Sequence, residues 1–230
     1  MRKTKSFYYL LLVSIFMGGK VNAQDWPNLN RYQNENTVLK PVEAGQKRIV
    51  FMGDSITEFW STVDPEYFSG KPYVNRGISG QTTPQMLLRL RADVIALKPT
   101  AVVILAGIND IAGNTGPMTI EMIRDNIFSM IELAKANHIK VILCSVLPAY
   151  DFPWKPNQEP IAKIKALNVI LQNYALANDI VYVDYYSAMV DERKGLKAVY
   201  SNDGVHPNKT GYQVMAPLAD KEIALVLKSK

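Results

Sequence analysis

Three side chains in this sequence could together perform nucleophilic chemistry: Ser55, His206 and Asp203. A free serine hydroxyl is a poor nucleophile and needs a base, and imidazole, which titrates near neutral pH, is the usual one. Asp203 lies three residues before His206 in a glycine-containing turn, so its carboxylate could reach the imidazole. Such a carboxylate fixes the ring tautomer and stabilises the imidazolium. The combination indicates acyl transfer through a serine.

Two further residues could stabilise the negative charge that acyl transfer creates. Gly77 offers a backbone N–H and Asn109 a side-chain amide, which with the Ser55 N–H would give three donors to an oxyanion. Each residue also has a simpler explanation: Ser55 as a helix N-cap, Gly77 and Asn109 as turn residues. Their joint occurrence at strand ends favours the catalytic interpretation.

A parallel sheet is the element that must bring these residues together. Short apolar runs alternate with amphipathic helical stretches and predict strands at 48–52, 73–75, 101–106, 140–146 and 180–183. Alternating strands and helices form βαβ units, so we expect an α/β fold, a three-layer αβα sandwich with helices on both faces. Each candidate residue follows one of these strands. The carboxyl ends of parallel strands share one edge, where ligands bind.

A segment rich in proline and aromatic residues, 147–160, follows the fourth predicted strand. Loops at that edge of an open α/β sheet line the ligand crevice. We therefore expect Tyr150, Phe152 and Trp154 to form a wall of the substrate pocket. The alternative is that these aromatic side chains serve only in packing.

The first 23 residues have the features of an export signal. A basic start precedes an apolar run at 7–17, and Val21-Asn22-Ala23 ends in a small residue, a pattern that signal peptidases cleave. A membrane anchor is the alternative, but a membrane span needs about 20 apolar residues, and the run at 7–17 is shorter than that. We therefore expect cleavage after Ala23, export to the periplasm or the medium, no stable membrane insertion afterwards, and one domain over residues 24–230.

Charge and cysteine content exclude several classes of function. The sequence has 26 Lys and Arg against 21 Asp and Glu, a formal charge of +5, but four of the basic residues lie within 1–23. The remaining 22 basic and 21 acidic residues give +1, so a nucleic-acid partner has no compositional support. Cys144 is the only cysteine, which rules out an internal disulfide. With two histidines, no metal-ligand cluster is expected.

Four blocks of the sequence resemble the signature of the SGNH hydrolases, also called the GDSL esterase/lipase family. They follow the family's order and are Gly53-Asp54-Ser55-Ile56, with isoleucine for the usual leucine, Asn75–Gly80, Gly107–Asp110 and Asp203–Pro207. One such block is weak, whereas four in order over most of the chain are specific. Residues 53–60 and 75–90 also resemble the branch around the catalytic subunits of platelet-activating-factor acetylhydrolase.

The resemblance implies a flavodoxin-like sandwich with a five-stranded parallel sheet, no metal and no cofactor. It also implies a serine ester hydrolase, and the exported relatives favour a short acyl group, acetyl in particular, on a small molecule or a glycan. Two alternatives stay open. One is a lysophospholipase or thioesterase for longer acyl chains, and the other is a non-catalytic carbohydrate-binding module. The sequence leaves the natural substrate and the oligomeric state open.

Overall fold

The computed structural model describes residues 24–43 and 45–228, and the expected export signal lies outside them. Five strands are present in these residues: β1 Ile49–Gly53, β2 Tyr73–Gly77, β3 Ala101–Leu105, β4 Lys140–Cys144 and β5 Val181–Val183. They form one parallel sheet in the order β2-β1-β3-β4-β5. The predicted five-stranded, flavodoxin-like sheet is confirmed.

Helices cover both faces of this sheet. They are α1 Gln33–Val38, α2 Ser55–Val63, α3 Thr83–Asp93, α4 Ile108–Ile111, α5 Ile120–Ala136, α6 Pro160–Ala177, α7 Tyr185–Met189 and α8 Lys209–Lys228. Helices α3, α5 and α6 pack along one face, whereas α2 and α8 pack together on the other, as right-handed crossovers require. No helix in the described part of the chain is long and apolar enough to cross a membrane.

The central strands β1 and β3 are buried along their whole length. Burial on both faces explains why their sequences are continuous apolar runs instead of alternating ones. The chain leaves β1 for β2 at the sheet edge and returns to β3 on the other side of β1. That reversal opens a crevice at the carboxyl ends of β1 and β3, where doubly wound sheets bind ligands.

Element boundaries differ from the sequence expectation in small ways. Strand β2 runs two residues beyond the predicted 73–75 and ends at Gly77. The sequence also predicts a helical turn near 187–191. The helix found there begins earlier, at Tyr185, because the Asp184 carboxylate accepts a hydrogen bond from the Ser187 N–H at 2.9 Å and caps it. The first shift makes Gly77 the last residue of β2, whereas Ser55 and Asn109 follow the ends of their strands as expected.

Candidate active site

Ser55 is the first residue of α2 and lies just beyond the carboxyl end of β1. Asp54 caps this helix, since its Oδ1 accepts a hydrogen bond from the Ile56 N–H at 2.9 Å. The first N–H groups of a helix have no partner inside the helix and carry its positive dipole end. The Ser55 hydroxyl and N–H are therefore held where negative charge is stabilised.

The Ser55, His206 and Asp203 side chains form a continuous hydrogen-bonded chain. Ser55 Oγ lies 2.9 Å from His206 Nε2, and His206 Nδ1 lies 2.6 Å from Asp203 Oδ2. The other carboxylate oxygen, Asp203 Oδ1, accepts the backbone N–H groups of Val205 at 2.9 Å and His206 at 2.8 Å. One carboxylate therefore shapes the turn and orients the imidazole at the same time.

Asp203 stays ionised in this setting. Partial burial alone would raise the pKa of Asp203, but the hydrogen bonds from the His206 ring and from backbone N–H groups outweigh burial and lower that pKa to about 2. An ionised carboxylate at Nδ1 keeps the ring proton there and leaves Nε2 free to accept the Ser55 proton. Ser201, which the sequence analysis missed, braces the turn by donating to the His206 carbonyl at 2.7 Å.

Asn109 lies in α4, directly after β3, and is 2% exposed. Its Nδ2 donates to the Gln81 carbonyl at 3.1 Å, and its Oδ1 accepts from Asn114 Nδ2 at 2.9 Å. These two bonds fix the orientation of the amide. An amide nitrogen carries two hydrogens, so one donor of Asn109 remains for a ligand.

Gly77 does not have the free N–H that the sequence interpretation required. At the end of β2 this group donates to Asn75 Oδ1 at 2.8 Å. A Cβ at Gly77 would lie 2.1 Å from the backbone nitrogen of Glu58 and 2.7 Å from the carbonyl of Asp54. The assignment of Gly77 to the oxyanion hole is therefore corrected: this glycine lets β2 pack closely against α2.

Gly80 has the properties that Gly77 lacks. Its φ is +75°, and a Cβ there would meet nothing within 4 Å, so the loop is open at this point. No described residue accepts a hydrogen bond from its N–H, while its carbonyl accepts from Asn114 Nδ2 at 3.3 Å. Asn114 therefore joins Gly80 to Asn109. The signal in the sequence was the second glycine of the Gly77-Ile78-Ser79-Gly80 block.

Two of the three predicted pocket residues, Phe152 and Trp154, pack against each other, and Trp154 lies beside the imidazole. Trp154 is 43% exposed, and its ring centroid lies 5.8 Å from that of His206. Phe152 is 0% exposed, and its ring lies 5.3 Å from that of Trp154 and supports it. Phe152 also borders a cavity of about 260 Å³ that Asp203 lines, so its place in the substrate pocket stays a prediction.

Two further aromatic residues near the candidate site, Tyr150 and Phe59, have exposed side chains. Tyr150 is exposed, but its ring faces the Arg193 guanidinium, 5.3 Å from the ring centroid, and lines a cavity of about 260 Å³ with Asp203. Phe59 of α2, which the sequence analysis did not single out, is 38% exposed and lies 5.4 Å from the His206 ring. The imidazole therefore has exposed aromatic neighbours from two separate elements.

Buried charged groups hold the strand ends in place. Arg89 of α3 is fully buried and donates to two carbonyls near the carboxyl ends of β1 and β2. These are the carbonyls of Gly53, at 2.9 Å, and Arg76, at 2.8 Å. Burial raises the pKa of Asp54 to about 7. Burial likewise raises the pKa of Asp110 to about 6, although its carboxylate accepts hydrogen bonds from Thr83. Asp54 caps its own helix, whereas the Asp110 carboxylate accepts the N–H of Thr83, the first residue of α3, 27 positions away in the sequence.

No metal-binding cluster of three or more His, Cys, Asp or Glu side chains occurs among residues 24–43 and 45–228. Cys144 is buried in β4, and burial raises the pKa of its thiol.

Comparison with known proteins identifies a family that this chain matches. Residues 51–214 match the sequence model of the GDSL-like Lipase/Acylhydrolase family. The chain is also 28% identical over 183 residues to Esterase TesA of Pseudomonas aeruginosa. This match covers 74% of this chain and 84% of the esterase.

Solved structures give the same result. A GDSL-like lipase from Bacteroides thetaiotaomicron is 48% identical, with a TM-score of 0.83 over 86% of this chain and 98% of its own. A candidate acylhydrolase from Bacteroides fragilis is 48% identical, with a TM-score of 0.88 over 90% of this chain and 100% of its own. A candidate platelet activating factor protein from Streptococcus pneumonia, 24% identical, shares the fold with a TM-score of 0.70 over 84% of this chain and 89% of its own. The chain belongs to the GDSL-like lipase/acylhydrolase family and is a carboxylic ester hydrolase.

Proposed function

We propose that the protein is an exported serine esterase that removes short acyl groups, acetyl in particular, from small-molecule or glycan esters. The observation that carries the mechanism is the 2.9 Å contact between Ser55 Oγ and His206 Nε2, continued by the 2.6 Å contact to Asp203. This arrangement supports a serine activated by a base that a carboxylate orients. Export rests on the sequence pattern of residues 1–23 alone.

Acylation begins when Ser55 Oγ attacks the ester carbonyl carbon while His206 Nε2 takes the hydroxyl proton. The carbonyl electron pair moves to oxygen and leaves a tetrahedral oxyanion. We assign three donors to that oxygen: the N–H groups of Ser55 and Gly80 and the side-chain amide of Asn109. One such donor is worth about 100- to 1,000-fold in rate.

The oxyanion then collapses and the bond to the leaving alcohol breaks. His206 donates its Nε2 proton to the alcohol oxygen, which leaves an acyl group on Ser55. Water enters, His206 accepts a proton from it, and the resulting hydroxide attacks the acyl carbon. Collapse of the second intermediate releases the carboxylic acid, and the proton returns to Ser55. Asp203 remains ionised throughout and pairs with the imidazolium.

The surroundings of His206 support a sugar as the leaving alcohol. The alcohol oxygen must lie beside His206 Nε2, within reach of the exposed rings of Trp154 and Phe59. Exposed aromatic rings are suited to the apolar faces of a sugar. A solved acetyl xylan esterase, AlAXEase, shares the fold at 19% identity and a TM-score of 0.63, so the same architecture carries that activity in another protein.

Esters of increasing acyl length test the proposal. The protein should hydrolyse p-nitrophenyl acetate faster than the butyrate and octanoate esters, and it should release acetate from acetylated xylo-oligosaccharides. Ser55→Ala should abolish turnover and labelling by a fluorophosphonate, whereas Ser61→Ala, in the same helix, should leave both unchanged.

Three outcomes would contradict parts of the proposal. Full activity in Ser55→Ala would refute the nucleophile. Rates that climb steadily beyond butyrate would favour a lysophospholipase or thioesterase. Binding of acetylated glycan without turnover or labelling would indicate a binding module. Export is tested separately, by whether the protein recovered from the periplasm or medium begins at Gln24.

A further inference from the structure

We propose that Asn114 is a positioning residue that sets the orientation of the Asn109 amide and joins the oxyanion donors to Trp154 in one network. The inference rests on the function proposed above, because it concerns the donors of that site. Asn114 lies on the exposed loop after α4, and none of the reacting atoms belongs to it.

Both ends of the Asn114 side chain are engaged. Its Nδ2 donates to Asn109 Oδ1 at 2.9 Å and to the Gly80 carbonyl at 3.3 Å. Its Oδ1 accepts from Trp154 Nε1 at 3.1 Å. Its backbone N–H donates to the Asn109 carbonyl at 3.0 Å. One exposed residue therefore contacts the oxygen atoms of two residues whose N–H groups are assigned to the oxyanion, and it also contacts the Trp154 indole.

These contacts determine which way the Asn109 amide faces. A donor at Asn114 Nδ2 requires the Asn109 oxygen to turn towards it, which leaves the Asn109 nitrogen facing the Gln81 carbonyl and the site. A flipped Asn109 amide would place its oxygen against the Gln81 carbonyl and present an acceptor to the oxyanion. Both consequences are unfavourable, since two acceptors cannot share a hydrogen bond.

Trp154 determines the orientation of Asn114 in turn. The indole N–H is only a donor, so it selects the oxygen end of the Asn114 amide and leaves the nitrogen end for Asn109. Lys155, the next residue, ties the same two loops together by donating to the Gly113 carbonyl at 2.7 Å. Through these bonds, the loop that faces a leaving group also holds the donors to the oxyanion.

An isosteric substitution separates this role from simple packing. Asn114→Asp keeps the shape and the acceptor for Trp154 but sets an oxygen against Asn109 Oδ1. Asn114→Ala removes the side chain and leaves the Gln81 contact to hold Asn109. On p-nitrophenyl acetate, we expect N114D to lower kcat about 100-fold and N114A about 10-fold, with KM nearly unchanged in both.

Two further measurements test whether Asn114 acts through the oxyanion donors and through Trp154. Affinity for a boronic-acid transition-state analogue should fall in parallel with kcat/KM in both variants, because the analogue uses the same donors. Trp154→Phe, which keeps an aromatic ring and removes the N–H, should lower kcat a few-fold, but should have no further effect in the N114A background. Asn157→Asp places the same charge on the Trp154 loop and should change none of these values.

The outcomes are distinguishable. An N114A loss as large as that of N114D, with a matching fall in Tm, would overturn the inference in favour of packing. A change confined to KM would overturn it in favour of substrate contact. Normal kcat in N114D, with Ser55→Ala inactive, would refute this inference and leave the proposed function intact. Activity in Ser55→Ala would refute the proposed function itself, and this inference with it.

Discussion

The two edges of the sheet each carry one of the chain's two histidines, and they differ in what surrounds it. At the carboxyl edge, His206 is bonded to a serine and an aspartate. At the amino edge, His138 follows α5 with φ of +59° and lines a cavity of about 450 Å³. No serine, threonine or cysteine is among the residues that line that cavity. A histidine beside a sizeable cavity is therefore not sufficient for a reactive site.

Helix direction explains the difference between the edges. In a parallel α/β sheet the helices that follow the strands begin at the carboxyl edge, where free N–H groups and positive dipole ends favour an oxyanion. The same helices end at the amino edge, where free carbonyls favour cations. The His138 N–H, for example, donates to the Lys135 carbonyl at the end of α5, at 3.0 Å. Acyl transfer needs the first environment.

Replacing each histidine by alanine in turn tests the comparison most strongly. His206→Ala removes the base and should lower kcat/KM for p-nitrophenyl acetate by at least about 10,000-fold. His138→Ala is the matched control and should stay within about twofold, because its side chain lies at the opposite edge. Equal losses in the two variants would contradict the division between the edges.

A pair of asparagines sharpens the comparison. Asn109→Ala should lower kcat about 100- to 1,000-fold with little change in KM, because its donor acts on the transition state. Asn137 caps the far end of α5 by donating to the Leu133 carbonyl at 2.7 Å, and Asn137→Ala should affect only Tm. A rise in KM without a loss of kcat in Asn109→Ala would argue against an oxyanion role.

The buried Asp54 carboxyl, at the carboxyl edge, should make the free energy of unfolding depend on pH. The folded pKa of Asp54 is about 7, whereas an unfolded aspartate ionises near pH 4. The stability contribution of the protonated carboxyl is therefore full below about pH 4 and is lost as pH rises through 7. Asp54→Asn removes this dependence, so relative to wild type the variant should gain up to roughly 4 kcal/mol of unfolding free energy between pH 4 and 8.

Urea unfolding at several pH values measures that effect. Asp179→Asn, which changes an exposed aspartate at the amino edge, serves as the control and should leave the slope of stability with pH as in wild type. An unchanged slope in Asp54→Asn would show that the Asp54 carboxyl is not protonated in the folded protein at neutral pH.

Two glycines at the carboxyl edge give the smallest expected difference. Gly77→Ala forces a Cβ against the Glu58 backbone and should lower the unfolding free energy by about 1–3 kcal/mol. Gly80→Ala meets no neighbour but strains a residue at φ +75°, so it should cost about 1 kcal/mol and lower kcat more than Tm. Reversal of these two patterns would restore Gly77 to the oxyanion hole.

Much of the fold followed from sequence because its determinants are local or periodic. The apolar runs at 101–106 and 140–146 gave strands within two residues of β3 and β4. The positions of Ser55 and Asn109 followed from the strands before them, because every carboxyl end of a parallel sheet lies at one edge.

Some groups have surroundings that come from distant parts of the chain, and the sequence did not determine their roles. Gly77 and Gly80 share one sequence block, and only the Asn75 side chain and the approach of α2 decide which N–H is engaged. Phe152 and Trp154 alternate in one loop, yet one is buried and the other faces His206. Phe59 gave no distinguishing signal because it is one aromatic residue in an aromatic-rich stretch.

The sequence by itself determined the α/β class, the approximate positions of the strands, and the residue types able to activate a hydroxyl. Periodicity and turn chemistry act over a few residues and can be recognised without coordinates. Tertiary structure alone decided which N–H groups stay free, which aromatic rings face the imidazole, and how Asn114 orients Asn109. Hydrogen-bond availability and exposure depend on side chains that folding brings together from distant positions, and the order of residues does not specify those contacts.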